Sequence, residues 1–164
     1  MEEIAAEARI AKPIVYRHLG DKAAIYEAVA AWHLERLMAQ LQAALASSVD
    51  GRARLRATID TYLAYVERER AAYRFLLEGP GGEWASAPRV QRFVEQVAAA
   101  VAGELRDALE AAGQDASAAE PWAYGIVGMV ELAGHWWQRE QSMTRERLVD
   151  ALVSLLWNGF TGAA

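Results

Sequence analysis

The sequence contains no cysteine, which excludes disulfide frameworks, thiolate zinc sites and cysteine nucleophiles. It also lacks any apolar run near the roughly 20 residues that a membrane-spanning helix needs. The first residues, Met1 to Glu3, do not form the basic start of a signal peptide. These absences predict a cytoplasmic protein with no membrane partner.

Patterns typical of enzymes and metal sites are missing as well. His18, His33 and His135 lie far apart and have no accompanying pattern of carboxylates for a metal ion. Residues 79–82 (Gly-Pro-Gly-Gly) lack the ending of a phosphate-binding loop, and no serine lies in a Gly-x-Ser-x-Gly frame. We therefore predict a protein without cofactor or metal that is not an enzyme, and an enzyme on a helical scaffold stays as an alternative.

Proline is scarce, with 4 residues in the chain, whereas hydrophobic residues make up 54% and are mostly alanine and leucine. This balance favours an all-α fold over a β-sandwich. No segment alternates between apolar and polar residues over the length of a strand. The 164 residues are enough for one well-buried domain.

Charge is unevenly distributed along the chain. The net charge is −5, and residues 23–164 carry all of it. The segment from Arg9 to Lys22 instead carries four positive charges against one negative charge, and it also contains His18. A local basic surface on an acidic body indicates a nucleic-acid interface.

Two short helices are predicted at the start, over Met1–Ala8 and Lys12–Leu19. Pro13 lies in the first turn of the second helix, where its missing N–H does no harm. Gly20 ends that helix and Asp21 caps the next. Two short helices joined by a three-residue connection fit a helix-turn-helix, whose second helix enters the major groove of DNA.

Six further helices follow, separated by short breaks. The stretch from Ser117 to Glu120 matches a capping box, which predicts a helix start at about Pro121. Residues 80–88 are the most loop-like part of the chain. The first of the six ends at about Ala46, and the second follows a cap at Asp50. The third covers residues 72–79, and the fourth runs from Val90 to a stop at Gly113. The fifth covers Pro121–Arg139, and the sixth runs from a cap at Thr144 to about Trp157.

The first thirty residues match a family pattern, Ile-Ala-x-x-Ala followed by Lys-x-x-Leu-Tyr-x-His-Phe-x-x-Lys. On these positions the sequence resembles the TetR family of bacterial transcriptional regulators. The resemblance extends over the whole chain, and residues 121–137 and 143–159 are similar to the C-terminal half of an actinobacterial-type branch. The matching positions are Ile4, Ala5, Ala8, Lys12, Val15, Tyr16, His18, Leu19 and Lys22.

The resemblance implies a role for each exposed residue of the recognition segment. Those that would face base edges are Lys12, Pro13, Ile14 and Arg17. Those that would hold phosphates are Tyr16, His18 and Lys22. In the alternative reading, Tyr16 is a half-buried aromatic and the two lysines are ordinary surface residues.

The sequence departs from the family pattern at three points. Arg9 replaces a glycine, and a non-glycine residue with positive φ costs about 1 kcal/mol. Ala11 replaces a serine or threonine, so that an N-cap oxygen worth about 1 kcal/mol is lost. Met1 falls where the family's first helix should already have ended. We therefore expect residues 1–29 to be an incomplete DNA-binding region that binds an operator more weakly than a chain extended upstream.

Residues 30–164 are predicted to form a ligand-binding and dimerisation domain. The last two predicted helices are apolar on two faces, whereas a helix on a monomer surface needs one. The second face would pack against a second subunit, placing two recognition helices about 34–36 Å apart. In the alternative, these helices are deeply buried in a monomer. The predicted interface residues are Trp122, Ile126, Met129, Val130, Trp137, Leu148, Leu152, Leu155 and Leu156.

Aromatic residues on the middle helices could line a cavity for an apolar or aromatic effector, as the resemblance implies, or could be ordinary core. Glu131 and His135 lie one turn apart and are either polar anchors for that ligand or a solvated or interface pair. The predicted pocket residues are Tyr62, Tyr65, Phe75, Trp84, Phe93 and Met129.

The sequence thus predicts a TetR-like, ligand-responsive transcriptional regulator, a repressor more often than an activator, that binds palindromic operator DNA as a homodimer. The alternative is a dimeric helical protein that binds small molecules and has lost DNA binding.

Overall fold

The computed structural model of this protein describes residues 2–7, 9, 11, 13–14, 21–78 and 88–159. These residues form helices and turns without a strand, so the predicted all-α fold is confirmed. None of the helices in these ranges is long and apolar enough to cross a bilayer. The elements are α1 (Glu2–Glu7), α2 (Lys22–Leu45), α3 (Gly51–Arg68), α4 (Arg70–Glu78), α5 (Pro88–Ala111), a 3₁₀ turn (Ala116–Ala118), α6 (Ala119–Glu140) and α7 (Arg145–Asn158).

Three helices begin at the caps that the sequence predicts. The side chains of Asp21, Asp50 and Thr144 accept a backbone N–H two or three residues further on, at 2.8, 3.1 and 3.3 Å. Each bond satisfies one of the free amides in the first turn of its helix. The predicted starts of α2, α3 and α7 are therefore confirmed.

The predicted capping box before α6 is wrong. The hydroxyl of Ser117 donates to the carboxylate of Asp115 at 2.6 Å, and the same carboxylate accepts the Ser117 N–H at 2.9 Å. Asp115 thereby caps the 3₁₀ turn, and α6 begins at Ala119 without a side-chain cap. An acidic residue two positions upstream competes with the pairing that the Ser117–Glu120 spacing suggests.

Helix α3 lies at the centre of the bundle and packs against α2, α4, α6 and α7. Its residues Leu63 and Val66 are fully buried, as is Val149 of α7. Each such side chain contributes about 1.5–3 kcal/mol when it leaves water. The core is therefore built around α3.

A second cluster of buried residues ties α2 to the body of the protein. The Tyr26 hydroxyl donates to the Leu76 carbonyl oxygen of α4 at 3.2 Å, and Arg89 of α5 pairs with Glu27 at 2.7 Å. Ala30 is fully buried between them. Helix α2 thus runs without a break through the predicted domain boundary after residue 29, and that boundary stays a prediction.

Helix α6 packs tightly against α3 at Gly134. A Cβ atom at this position would lie 2.9 Å from Cε1 of Tyr62 and 3.3 Å from Cδ2 of Leu63. The glycine is therefore required by packing within the chain. Cβ atoms at Gly125 and Gly128, on the same helix, would meet nothing within 4 Å.

Candidate functional site

A cavity of about 130 Å³ lies among α2, α3, α5 and α6, and α4 contributes two residues to its wall. Among the described residues, the wall is apolar except for one threonine, three tyrosine hydroxyls and one carboxylate. Its residues are Leu34, Leu37, Leu41, Leu45, Leu55, Thr58, Ile59, Tyr62, Tyr65, Tyr73, Leu76, Val90, Phe93, Val94, Val97, Val101, Ile126, Val127, Val130 and Glu131.

The cavity is elongated along the bundle. On α2 the wall extends from Leu34 to Leu45, and this length of helix rises about 16 Å at 1.5 Å per residue. Tyr65 marks one end, because its hydroxyl lies 3.2 Å from Nδ1 of His33 near the middle of α2. Leu55, which follows Arg54 near the start of α3, lies toward the other end of the cavity. The shape suits a long, narrow apolar molecule.

The polar groups of the wall gather at one end, which we call the polar end and define as Tyr62, Tyr65, Tyr73 and Glu131. The hydroxyls of Tyr62 and Tyr73 lie 2.9 Å apart and share a hydrogen bond. Glu131 lies close enough for its charge to add to the effect of burial in raising the pKa of both. The polar end therefore presents hydroxyls and a carboxylate to an otherwise apolar space.

Burial controls the ionisation of this polar end. It raises the pKa of Tyr65 and of Tyr73 to about 12 and that of Tyr62 well above the ordinary range. Burial also raises the pKa of Glu131. The Glu131 carboxylate makes no hydrogen bond or ion pair with any other residue that the structure describes. The cause in each case is that the low-dielectric surroundings disfavour the charged form.

Helix α6 carries a second apolar face on the outside of the chain. Its large side chains are 37–63% exposed, with Leu132 the most exposed of them. Helical spacing of three and four residues along this face produces one continuous stripe. The stripe, called the outer face of α6 below, consists of Trp122, Gly125, Met129, Leu132 and Trp136.

The N-terminal segment is described at few positions. Arg9 has a φ of 53°, in the left-handed region that favours glycine, as the departure from the family pattern predicts. Pro13 and Ile14 are helical and exposed. Lys22 opens α2, but its side chain lies outside the described residues, as do Lys12, Tyr16, Arg17 and His18. Their predicted contacts with DNA stay predictions.

Comparison with known proteins decides the family. Residues 40–164 match the family described as "Tetracyclin repressor-like, C-terminal domain". The chain belongs to the TetR family. Members of this family are transcriptional regulators.

Relatives along nearly the whole chain carry matching names. An uncharacterized HTH-type transcriptional regulator of Mycobacterium tuberculosis is 35% identical over 164 residues, which cover 99% of this chain and 69% of that protein. The HTH-type transcriptional activator FasR of Mycolicibacterium smegmatis is 28% identical over 163 residues, which cover 98% of this chain and 73% of FasR. The resemblance to TetR regulators inferred from residues 4–22 is therefore confirmed.

The TetR-like arrangement of helices is also seen in a solved structure. A TetR-like transcriptional regulator from Rhodococcus sp. RHA1 superposes with a TM-score of 0.69 at 24% identity, covering 98% of this chain and 84% of that one. At this identity the similarity shows the fold alone.

The cavity of this TetR-family chain includes some of the predicted pocket residues. Tyr62, Tyr65 and Phe93 lie on its wall. Phe75 does not, because its ring packs 4.8 Å from that of Tyr26 on the other side of α4. Met129 faces outward on α6, and Trp84 lies outside the described residues. Phe75 and Met129 therefore do not lie on the wall of this cavity, and the predicted effector pocket stays a prediction.

Several wall residues were missed at the sequence level. Tyr73 and the leucines and valines of α2 and α5 have the same helical spacing whether they face a cavity or a filled core. Glu131 was considered as a ligand anchor together with His135, and only Glu131 lies on the wall. Spacing alone carried no signal that separates these cases.

The predicted dimer residues divide between the outside and the core. The predicted interface stays a prediction: Trp122 and Met129 are exposed, whereas Val130, Trp137, Leu148 and Leu152 are buried within the single chain at 4–8% exposure. The reason is that α6 and α7 turn these faces toward α3. Ile126, Leu155 and Leu156 are half-buried. Leu132 and Trp136 lie exposed on the outer face of α6 and were not among the predicted interface residues.

The buried tyrosines predict a loss of stability in alkali. A raised folded-state pKa means that the unfolded chain releases the proton first, so stability is complete below pH 10 and falls as the pH rises toward 12. Tyr65 and Tyr73 should together remove about 2–3 kcal/mol from the free energy of unfolding between pH 9 and pH 11. Urea denaturation across this range measures the decline. The variant with Tyr65→Phe and Tyr73→Phe should lose the part of the decline that these two residues cause and keep the part that Tyr62 causes, and an unchanged slope would contradict the assignment.

Proposed function

We propose that this TetR-family chain is a ligand-responsive transcriptional regulator that binds palindromic operator DNA as a homodimer. The observation that carries the proposal is the double role of α2. This helix begins at Lys22, directly after the predicted recognition segment, and it forms the cavity wall from Leu34 to Leu45. A molecule that enters the cavity pushes on the same rigid helix that holds the predicted reading head.

Coupling between the two sites is a population shift. The effector binds better to the conformation in which α2 is displaced, and this conformation holds the two reading heads at a separation that does not match adjacent grooves. By linkage, operator DNA lowers the affinity for the effector by the same factor. Helix α2 is held against α5 by the ion pair of Arg89 with Glu27 and against α4 by the hydrogen bond from Tyr26 to Leu76. These contacts support the proposal that α2 moves as one rigid unit.

The homodimer is supported by the outer face of α6. A second apolar stripe that includes Trp122, Leu132 and Trp136 is more than a monomer surface needs. Two copies related by a two-fold axis would bury the stripe against itself, and the glycine at position 125 would allow the two helices to approach closely. This symmetry matches a palindromic operator.

The effector is proposed to be an elongated, largely apolar small molecule, because the cavity extends about 16 Å along α2 between apolar walls. A regulator that releases its operator when such a molecule binds acts as a repressor if the operator overlaps a promoter. The relative FasR is named an activator. A reporter gene placed behind the selected operator decides the sign, and we propose repression.

The test of DNA binding is a selection of bound duplexes from a randomised pool, followed by gel-shift titration. Enrichment of a palindrome with half-sites about one helical turn apart supports the proposal. Failure to enrich any palindrome overturns it. Binding of a neutral dye such as Nile red to the cavity, without any bound DNA, would favour the alternative of a small-molecule-binding protein that has lost DNA binding.

A cavity-filling variant separates effector binding from DNA binding. Val97→Trp places an indole in the cavity, so we expect Nile red affinity to fall by at least about tenfold, which corresponds to 1.4 kcal/mol. Overpacking should also cost about 1–3 kcal/mol of stability. Fluorescence titration measures the affinity, and operator affinity should remain within about twofold of the unmodified chain.

The control for Val97→Trp is Val49→Trp, at a fully exposed valine between α2 and α3. It adds the same side chain without entering the cavity. Equal dye affinity of the Val97 variant and this control would show that the dye binds elsewhere.

A further inference from the structure

Glu131 is the one acidic residue on the cavity wall in the part of the chain that the structure describes. Desolvation of the carboxylate is unfavourable unless a cation or several hydrogen bonds compensate for it. None of the described residues forms a hydrogen bond or an ion pair with this carboxylate. The group is therefore available to a ligand.

Arg36, a basic side chain that acts on the polar end, is engaged elsewhere. Arg36 acts electrostatically on Tyr65, but its guanidinium stacks 5.3 Å from the ring centroid of Trp32, which is 56% exposed on the outside of α2. A ligand is then the natural source of positive charge for the polar end.

The remaining groups of the polar end also favour a positively charged ligand group. Hydroxyl oxygens of Tyr62 and Tyr73 can accept an N–H from an ammonium group, and the faces of tyrosine rings attract cations. The other described residues of the wall, from Leu34 toward Leu45 and Val101, offer only apolar contact apart from Thr58, whose hydroxyl already donates to the Arg54 carbonyl oxygen. A cavity that is polar at one end and apolar along its length is complementary to an amphiphile.

We propose that the cavity selects a cationic amphiphile, with an alkylammonium group paired to Glu131 beside the Tyr62 and Tyr73 hydroxyls and a hydrocarbon tail lying along α2 and α5. This inference rests on the proposed function, because it names the chemical class of the effector. A charge-assisted hydrogen bond in partly desolvated surroundings is stronger than a neutral one. A carboxylate-headed amphiphile of the same length meets like-charge repulsion from Glu131 instead.

The test compares three probes of equal chain length, namely decylamine, decanol and decanoate, by displacement of Nile red at pH 7 below their critical micelle concentrations. We expect decylamine to bind at least about tenfold more tightly than decanol, and decanoate to bind most weakly. Glu131→Gln should weaken decylamine by about tenfold and leave decanol within about twofold. Glu120→Gln, an exposed carboxylate on the first turn of α6, is the matched control and should change neither.

Each outcome bears on the proposal. Decanoate or decanol binding as tightly as decylamine overturns it, and so does an unchanged decylamine affinity in Glu131→Gln. Either result remains compatible with an apolar effector and therefore does not contradict the proposed function. If no probe and no dye binds the unmodified chain, the proposed effector site fails together with the inference. The ranking of the probes on the unmodified chain needs no variant, so a misfolded Glu131→Gln does not weaken the test.

Discussion

Leu132→Asp is expected to convert the proposed homodimer into a monomer and to weaken operator binding by at least about 100-fold. Leu132 is 63% exposed and lies in the middle of the outer face of α6. Because a two-fold axis repeats every contact, the substitution would place two carboxylates in one apolar interface. Burying unpaired charges costs several kcal/mol, and each 1.4 kcal/mol is a factor of ten in affinity.

Sedimentation velocity and gel-shift titration measure the two effects of Leu132→Asp. The matched control is Val49→Asp, which introduces the same charge at a fully exposed position outside α6 and should remain a dimer with normal operator affinity. A dimeric Leu132→Asp protein would show that the outer face of α6 is not where the two subunits meet.

Gly134→Val is expected to lower the free energy of unfolding by about 2–3 kcal/mol. Even a single Cβ at this position would lie 2.9 Å from Tyr62 and 3.3 Å from Leu63, and the two methyl groups of valine increase the overlap. Leu63 is fully buried at the centre of α3, so it has little room to move. Tyr62 would be pushed into the cavity, and dye affinity should fall as well.

The control for Gly134→Val is Gly103→Val on α5, where a Cβ would meet nothing within 4 Å. Valine has a better helix propensity than glycine, so this control should be neutral or slightly stabilising. Urea denaturation at neutral pH compares the two variants. An equal loss of stability in both would mean that the close contact of α6 with α3 is not the cause.

Local interactions explain why most helix limits were predictable. A cap such as Asp21 or Thr144 needs only a backbone amide two or three residues further on, and both partners are visible in the sequence. Gly113 likewise ends α5 in the left-handed conformation, with the Gln114 N–H bonded to the Leu109 carbonyl oxygen. The same kind of reasoning failed at Ser117 because a competing local partner, Asp115, was overlooked.

The direction in which a side chain points was much harder to predict. Met129 and Val130 are neighbours, yet one faces outward and the other lies in the core, and the pair Trp136 and Trp137 divides in the same way. Both faces of α6 are apolar, so helical spacing fits either rotation of the helix. The contact of Gly134 with α3 selects one rotation.

For this protein, composition and short-range pattern were enough to predict an all-helical chain, most of its helix ends and its resemblance to the TetR family. Packing of the whole bundle was needed to place the cavity, the carboxylate of Glu131 on its wall and the outer face of α6. The difference has a simple cause. Helix ends depend on bonds that span a few residues, whereas the burial of a face depends on contacts between segments far apart in the chain.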